Sequence, residues 1–246
     1  MITRIVDINV DVGEGLNNEF KLLPYVSSCN IACGGHAGDI DTMRSVVRLA
    51  LENNVKIGAH PSFPDKANFG RKEIEISCAD LYTSLRQQIR GLINVLRDEH
   101  AVLHHIKPHG ALYNLAAIDK TTAKVIIEVM KSIAMPIKLY VPYKSVIEKL
   151  AKKERISVLV EAFADRNYND DLTLVSRTQK KAIISDYDEV FKHVYKMIIS
   201  QKVKTINGIE VDIKADTFCV HGDHPNSDML LKNLVSKLKE NHISIM

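Results

Sequence analysis

The sequence predicts a single-domain α/β fold, a β/α barrel of parallel strands covered by helices. Three observations predict it. Short β-branched runs alternate with stretches of helical periodicity from one end of the chain to the other. No segment rich in Gly, Ser or Pro divides the sequence, and no internal repeat is visible. The 246 residues match the roughly 250 that a β/α barrel often occupies as one unit.

Strands are expected at about 4–10 (RIVDINV), 26–33 (VSSCNIAC), 55–60 (VKIGAH), 101–107 (AVLHHIK), 137–141 (IKLYV), 156–160 (ISVLV) and 216–221 (DTFCVH), seven in all. Between them, Met43, Val46, Val47, Ala50 and Leu51 form one helical stripe. Leu81, Leu85, Ile89, Leu92 and Leu96 form a longer one, opened by Ser77 and Asp80 in capping-box spacing. Ile126, Ile127, Met130 and Ile133 make a third. Asp186 and Glu189 open a helix carrying Val190, Val194, Met197 and Ile198, and Pro225 precedes a last one with Leu230, Leu231, Leu234 and Leu238. Lys149 to Arg155 reads as a solvated helix end. Before the seventh strand, VKTINGIEVDI at 203–213 sets Asn207-Gly208 between two alternating runs, the signature of an inserted β-hairpin.

Composition narrows the function classes. With 46% apolar and 26% charged residues the chain is neither collagen-like nor low-complexity. Its 33 basic and 30 acidic residues are scattered, which argues against nucleic acid as a partner. No run approaches the roughly 18 apolar residues of a membrane span, and a start carrying Asp7 does not read as a secretory signal, so a cytoplasmic protein is expected. Cys29, Cys33, Cys78 and Cys219 form no C-x-x-C pair and are expected as thiols, Cys33 as a small buried residue.

Residues of catalytic type recur where the expected strands end. The first ends in DINVDVGEG, with Asp7, Asn9, Asp11 and Glu14; the second in NIACGGHAGD, with Asn30, His36 and Asp39. His60 closes the third, Lys107 and His109 the fourth, Glu161, Asp165 and Arg166 the sixth, and His221 and Asp223 the seventh. In a β/α barrel these ends share one face, the face that carries the active site. Gly34-Gly35, Gly110 and Gly222 beside the histidines suit sharp turns or close approach to a ligand. His104, His105, His193 and His242 lack such glycines and are expected in packing or at the surface, with His100 at a helix end. Neither common nucleotide-binding fingerprint is present.

Two chemistries fit this mouth. In one, a divalent metal held by Asp and His, with Asp7, His60, His109 and His221 as candidate ligands, activates water against an amide or ester. In the other, histidines act as general acids and bases while Lys107, Arg166 and turn amides neutralise a developing oxyanion or phosphoryl group.

Taken together, DINVDVGEG, CNIACGGHAGD, GAHPSFPD, KPHGALYN, EAFADRNY, LVSR and CVHGDHPNS resemble the LamB/YcsF family, over residues 5 to 227. The resemblance implies a seven-stranded barrel related in shape to polysaccharide deacetylases. It implies hydrolysis of 5-oxoproline to glutamate coupled to cleavage of ATP, with magnesium, in a complex with two other subunits. Self-association is left open. The functional face it implies comprises Asp7, Asn9, Asp11, Glu14, Asn30, His36, Asp39, His60, Lys107, His109, Glu161, Asp165, Arg166, Arg177, His221 and Asp223. On that basis Lys107 and Arg166 are expected on the phosphoryl oxygens, and Asp11 with His60 or His109 on the attacking water. Asn9, Glu14, Asn30, His36, Asp39, Glu161, Asp165, Arg177, His221 and Asp223 are expected to bind substrate or ATP. The chain reads Asn68-Phe69-Gly70-Arg71-Lys72 where the family usually reads G-F-G-R-R, and Ile40 where Pro is common. A stand-alone metal-dependent deacetylase or amidohydrolase, and a non-catalytic substrate-delivery subunit, are the competing readings.

Overall fold

A computed structural model describes residues 4–224 and 226–246, so Pro225 lies outside the described residues. Six parallel strands follow in chain order: β1 (Arg4–Val12), β2 (Ser28–Ala32), β3 (Lys56–His60), β4 (Leu103–Ile106), β5 (Lys138–Pro142) and β6 (Val158–Phe163). After a small antiparallel hairpin, β7 (Lys202–Lys204) with β8 (Glu210–Asp212), β9 (Thr217–Val220) pairs with both β6 and β1 and closes the ring. The result is a closed seven-stranded parallel barrel, each strand falling where a β-branched run predicts it. A short β10 (Ile243–Ile245) pairs with the start of β1 outside the ring.

The helices are α1 (Glu19–Leu22), α2 (Ile40–Glu52), α3 (Cys78–Asp98), α4 (Gly110–Ile118), α5 (Lys120–Lys131), α6 (Val146–Lys153), α7 (Tyr187–Ser200) and α8 (Ser227–Glu240). Local chemistry starts them. The side chains of Asp39, Ser77, Asp119, Ser145 and Asp186 each accept a backbone N–H of the first turn of their helix, a cap that stabilises by about 1 kcal/mol. Tertiary packing then holds them. Along α3 the stripe Leu81, Leu85, Ile89, Leu92 and Leu96 is buried against the barrel, and each such side chain contributes about 1.5–3 kcal/mol relative to exposure. Among the described residues no helix is long and apolar enough to cross a membrane.

The interior of the ring departs from the usual barrel, which is filled by branched apolar side chains. Here Ile8, Val10 and Val12 of β1 belong to the apolar core, while alternate positions Asp7, Asn9 and Asp11 make side-chain hydrogen bonds across the ring and are buried too. Their partners from neighbouring strands form a polar column. At the lower end Ser28 and Thr217 donate to Asp7 Oδ1 at 2.8 and 2.6 Å. Above it Asn9 donates to Thr217 Oγ1 at 2.7 Å, Asn30 donates to Asn9 Oδ1 at 2.7 Å, and His105 Nε2 donates to Asn30 Oδ1 at 2.7 Å. His105 stacks on Tyr140 with ring centroids 3.9 Å apart. Gly58 makes room for it, since a Cβ there would stand 2.1 Å from His105 Nε2.

Candidate active site at the barrel mouth

The top of the polar column is built around Lys107, just past β4 and only 2% exposed. Its Nζ lies 3.0 Å from Asp11 Oδ1, 2.9 Å from Glu161 Oε1 and 2.9 Å from Cys219 Sγ. Burial alone would lower the lysine pKa, but the neighbouring Asp11, Cys219 and Glu161 outweigh it and hold the ammonium well above its ordinary value. Burial likewise pushes Asp11 up, and His60 and Lys107 reverse that, leaving it a carboxylate well below the usual range. Charge at this depth persists because each ion has its counter-ion in contact.

Three histidines stand over this ion cluster. His60, the last residue of β3, donates from Nδ1 to the Lys107 carbonyl at 2.7 Å, and its Nε2 lies 3.5 Å from Asp11 Oδ2. His109, at the N-terminus of α4, donates from Nε2 to the Phe69 carbonyl at 3.0 Å and turns Nδ1 toward His60 Nε2, 2.9 Å away. His36 stacks on His109 with centroids 3.7 Å apart, its Nε2 3.1 Å from Glu14 Oε1. Burial first, with neighbouring histidines, keeps His36 and His109 uncharged, His36 with its pKa lowered to about 3. Glu14 is raised well above its ordinary value, by burial and then by Asp11 and Asp223. The turn before α4 is fixed by close packing: Gly110 has φ +56°, and a Cβ there would meet the Gly70 carbonyl at 2.6 Å. Among the described residues, Glu14, His36, His60 and His109 are the group whose donor atoms converge tightly enough to hold a metal ion, all within 4.8 Å of one another.

The rim is more open and carries opposite charges. Arg71 pairs with Asp223, and Arg177 Nη1 lies 3.8 Å from the same carboxylate. On the wall below, Asp165 accepts from the backbone N–H of His221 at 3.0 Å and from its Nδ1 at 2.9 Å. Burial would raise Asp165, yet His221 lowers it to about 2. A recess of about 620 Å³ at the opposite end of the barrel, lined by Arg4, Ile198, Lys214 and Asp216 among others, gathers no comparable set of groups.

Several expected site residues have other duties. Arg166 is buried, its Nη2 donating to the Val175 carbonyl at 2.6 Å and its Nε to that of Ala182 at 3.3 Å. It braces the loop after β6, and the rim guanidiniums belong to Arg71 and Arg177. The Asp39 carboxylate caps α2 through the Thr42 N–H. Asp7 sits at the bottom of the column, and His221 is engaged by Asp165, so among the described residues neither joins His60 and His109 in a metal-ligand group. Arg71 and Cys219 enter the site without having been expected there. Arg71 stands in the FGR segment whose spacing carries no chemistry of its own, and Cys219 is hidden in an apolar strand. His105 is buried and His193 half-buried, as expected of packing residues, and all four cysteines are thiols.

Comparison with known proteins agrees with this architecture. The LamB/YcsF family model matches residues 6–246. The chain is 41% identical over 240 residues to the 5-oxoprolinase A subunit of Haemophilus influenzae (strain PittEE), covering 98% of each. It superposes on a lactam utilization protein from Thermus thermophilus with a TM-score of 0.91 at 35% identity, covering 98% of each chain. A family 4 carbohydrate esterase from Streptomyces lividans, at 8% identity and a TM-score of 0.52, shares the fold alone, over 98% of this chain and 91% of its own.

Proposed function

The chain belongs to the LamB/YcsF family, and from that premise we propose that it is the A subunit of an ATP-dependent 5-oxoprolinase. The reaction opens the lactam of 5-oxo-L-proline to L-glutamate while ATP, with magnesium, goes to ADP and phosphate. It runs in a complex with the B and C subunits, in the cytoplasm. The name and coverage of the relatives support the substrate. The observation that carries the chemistry is the buried Asp11, Lys107 and His60 cluster at the end of the barrel strands.

A five-membered lactam resists water because its nitrogen is a poor leaving group and its carbonyl carbon is shielded by amide resonance. Transfer of the γ-phosphoryl group of ATP to the lactam oxygen removes that resonance. Water then adds to the ring carbon, the C–N bond breaks as the nitrogen takes a proton and an acyl phosphate is left, and a second water hydrolyses that acyl phosphate to the glutamate carboxylate and inorganic phosphate. In this reading the Asp11 carboxylate, beside His60, takes the proton of the attacking water. Lys107, kept cationic, stabilises negative charge developing on the substrate oxygens. Arg71 and Arg177 receive the substrate carboxylate at the rim. Arg166, bound to backbone carbonyls, keeps the loop carrying Arg177 in place.

The deciding experiment measures 5-oxoproline-dependent ATP hydrolysis for the chain alone and with the B and C subunits. Turnover only in the complex, abolished by Lys107→Ala, supports the proposal. Amide or ester hydrolysis by the purified chain without ATP would replace it with a stand-alone hydrolase. Undiminished turnover of a complex carrying Asp11→Asn and His60→Gln would reduce the role of the chain to substrate delivery.

A further inference from the structure

We propose that the barrel mouth is a metal centre, in which His60 Nε2, His109 Nδ1 and Glu14, completed by His36, bind one divalent transition-metal ion of the zinc class. The argument begins with where the ring protons must be. A carbonyl oxygen can only accept, so the 2.7 Å contact to the Lys107 carbonyl fixes a proton on His60 Nδ1. The 3.0 Å contact to the Phe69 carbonyl fixes one on His109 Nε2. The remaining two nitrogens point at each other across 2.9 Å. Either a proton or a metal ion must sit between or beside them.

The surroundings are those of a ligand set. Glu14 Oε1 lies 3.4 Å from His109 Nδ1 and 3.1 Å from His36 Nε2. Four donors on a tetrahedral zinc ion, with bonds of about 2.0–2.1 Å, lie roughly 3.3 Å apart; the three separations of 2.9, 3.4 and 3.1 Å are close to that, and all four donors lie within 4.8 Å of one another. Each of the two central histidines already has its outer nitrogen tied to a backbone carbonyl, which is how metal sites fix the tautomer and aim the ring. A second, independent sign comes from His36. Its residue is 3% exposed, and its Nδ1 is buried with no hydrogen-bond partner. The ring is therefore not locked at that end. It has to turn, because it lies parallel to His109 and both cannot bind one ion in their planes as they stand. Asp11 Oδ2, 3.5 Å from His60 Nε2, borders the site from below.

The competing arrangement is a single proton shared between His60 and His109. Cobalt(II) separates the two. The full chain, stripped with chelator, is titrated with cobalt(II) chloride, and the visible absorption of a four-coordinate ion is recorded; zinc chloride is then added in competition. Saturation at one equivalent, with the colour displaced by zinc, is expected. His60→Gln and Glu14→Gln should weaken binding by more than the roughly 10–100-fold that loss of an outer partner costs, while the surface variant His242→Asn leaves it unchanged. Thermal melts of each variant show that it is folded, and Glu14→Gln, nearer the rim, serves where His60→Gln fails to fold. Absence of four-coordinate absorption, or binding equal in wild type and both variants, would overturn the proposal. Because the readout is metal binding, its failure leaves the lactam reading standing, and loss of lactam turnover leaves the metal centre standing.

Discussion

Lys107 Nζ lies 3.0 Å from Asp11 Oδ1 at the centre of the barrel, and both residues are shut away from solvent. Removing one partner strands the other charge in the interior, a loss of about 3–5 kcal/mol. Lys107→Met should therefore lower both urea stability and turnover of the complex. The double variant Lys107→Met, Asp11→Asn should recover stability only in part, because Glu161 stays buried without its counter-ion, and should not recover turnover. Equal stability of single and double variants in urea titrations would count against this coupling.

The fit between Gly58 and His105 should show as non-additivity. Gly58→Ala drives a Cβ into the imidazole and is expected to cost about 3 kcal/mol or more, at the severe end of overpacking. His105→Ala alone loses the bond to Asn30 and the stacking on Tyr140. In the double variant the clash has gone, so its cost should fall below the sum of the singles by about 1–3 kcal/mol. Four denaturation curves measure the cycle.

Beside the buried histidines and Asp11 of the mouth, two groups outside that cluster should add to acid sensitivity. Burial lowers His193 from 6.5 to about 4. The folded state refuses a proton that the unfolded chain accepts, and stability present above the unfolded value is lost as pH falls from about 6.5 to 4, by about 3 kcal/mol. Asp165 acts lower, its stability present above about pH 4 and lost toward pH 2 as its carboxylate is protonated. His193→Phe should flatten the upper part of this limb and Asp165→Asn the lower. Stability measured in urea from pH 7 to 3 distinguishes them.

At the rim, Arg71→Ala and Arg177→Ala should each raise KM for 5-oxoproline by about 10–100-fold, the worth of a hydrogen bond to a charged group, with a smaller effect on kcat. Arg166→Ala should act differently. It releases the loop after β6, so it should lower melting temperature as well as turnover. Steady-state kinetics of the assembled complex with matched melts separates the two patterns.

The contrast between Arg166 and Arg71 marks where sequence reading stops. All seven barrel strands are legible, because a strand buried on both sides is written as a short β-branched run whatever its neighbours. Asp11, His60, Lys107 and His109 are legible because they end such runs beside turn residues. A guanidinium carries five donors and no signal of where they will be spent. Arg166 spends two on loop carbonyls, while Arg71 comes from a segment without periodicity and reaches Asp223 across the mouth. Helix α4 escapes notice for a related reason, since GALYNLAAI has apolar residues around most of its circumference and no clear polar face. Strand β10 is only three residues long and gains its place from β1, not from its own pattern.

The polar filling of the barrel reaches beyond catalysis to the temperature response of the whole molecule. Exposing apolar surface raises the heat capacity of unfolding, and exposing polar surface lowers it. A barrel of this length whose centre held Val, Ile and Leu would unfold with a steep thermal curvature. Here the same volume releases Asp7, Asn9, Asn30, His105, Lys107 and Glu161 to water. The stability curve should accordingly be broader than chain length alone would give, with less tendency to cold unfolding.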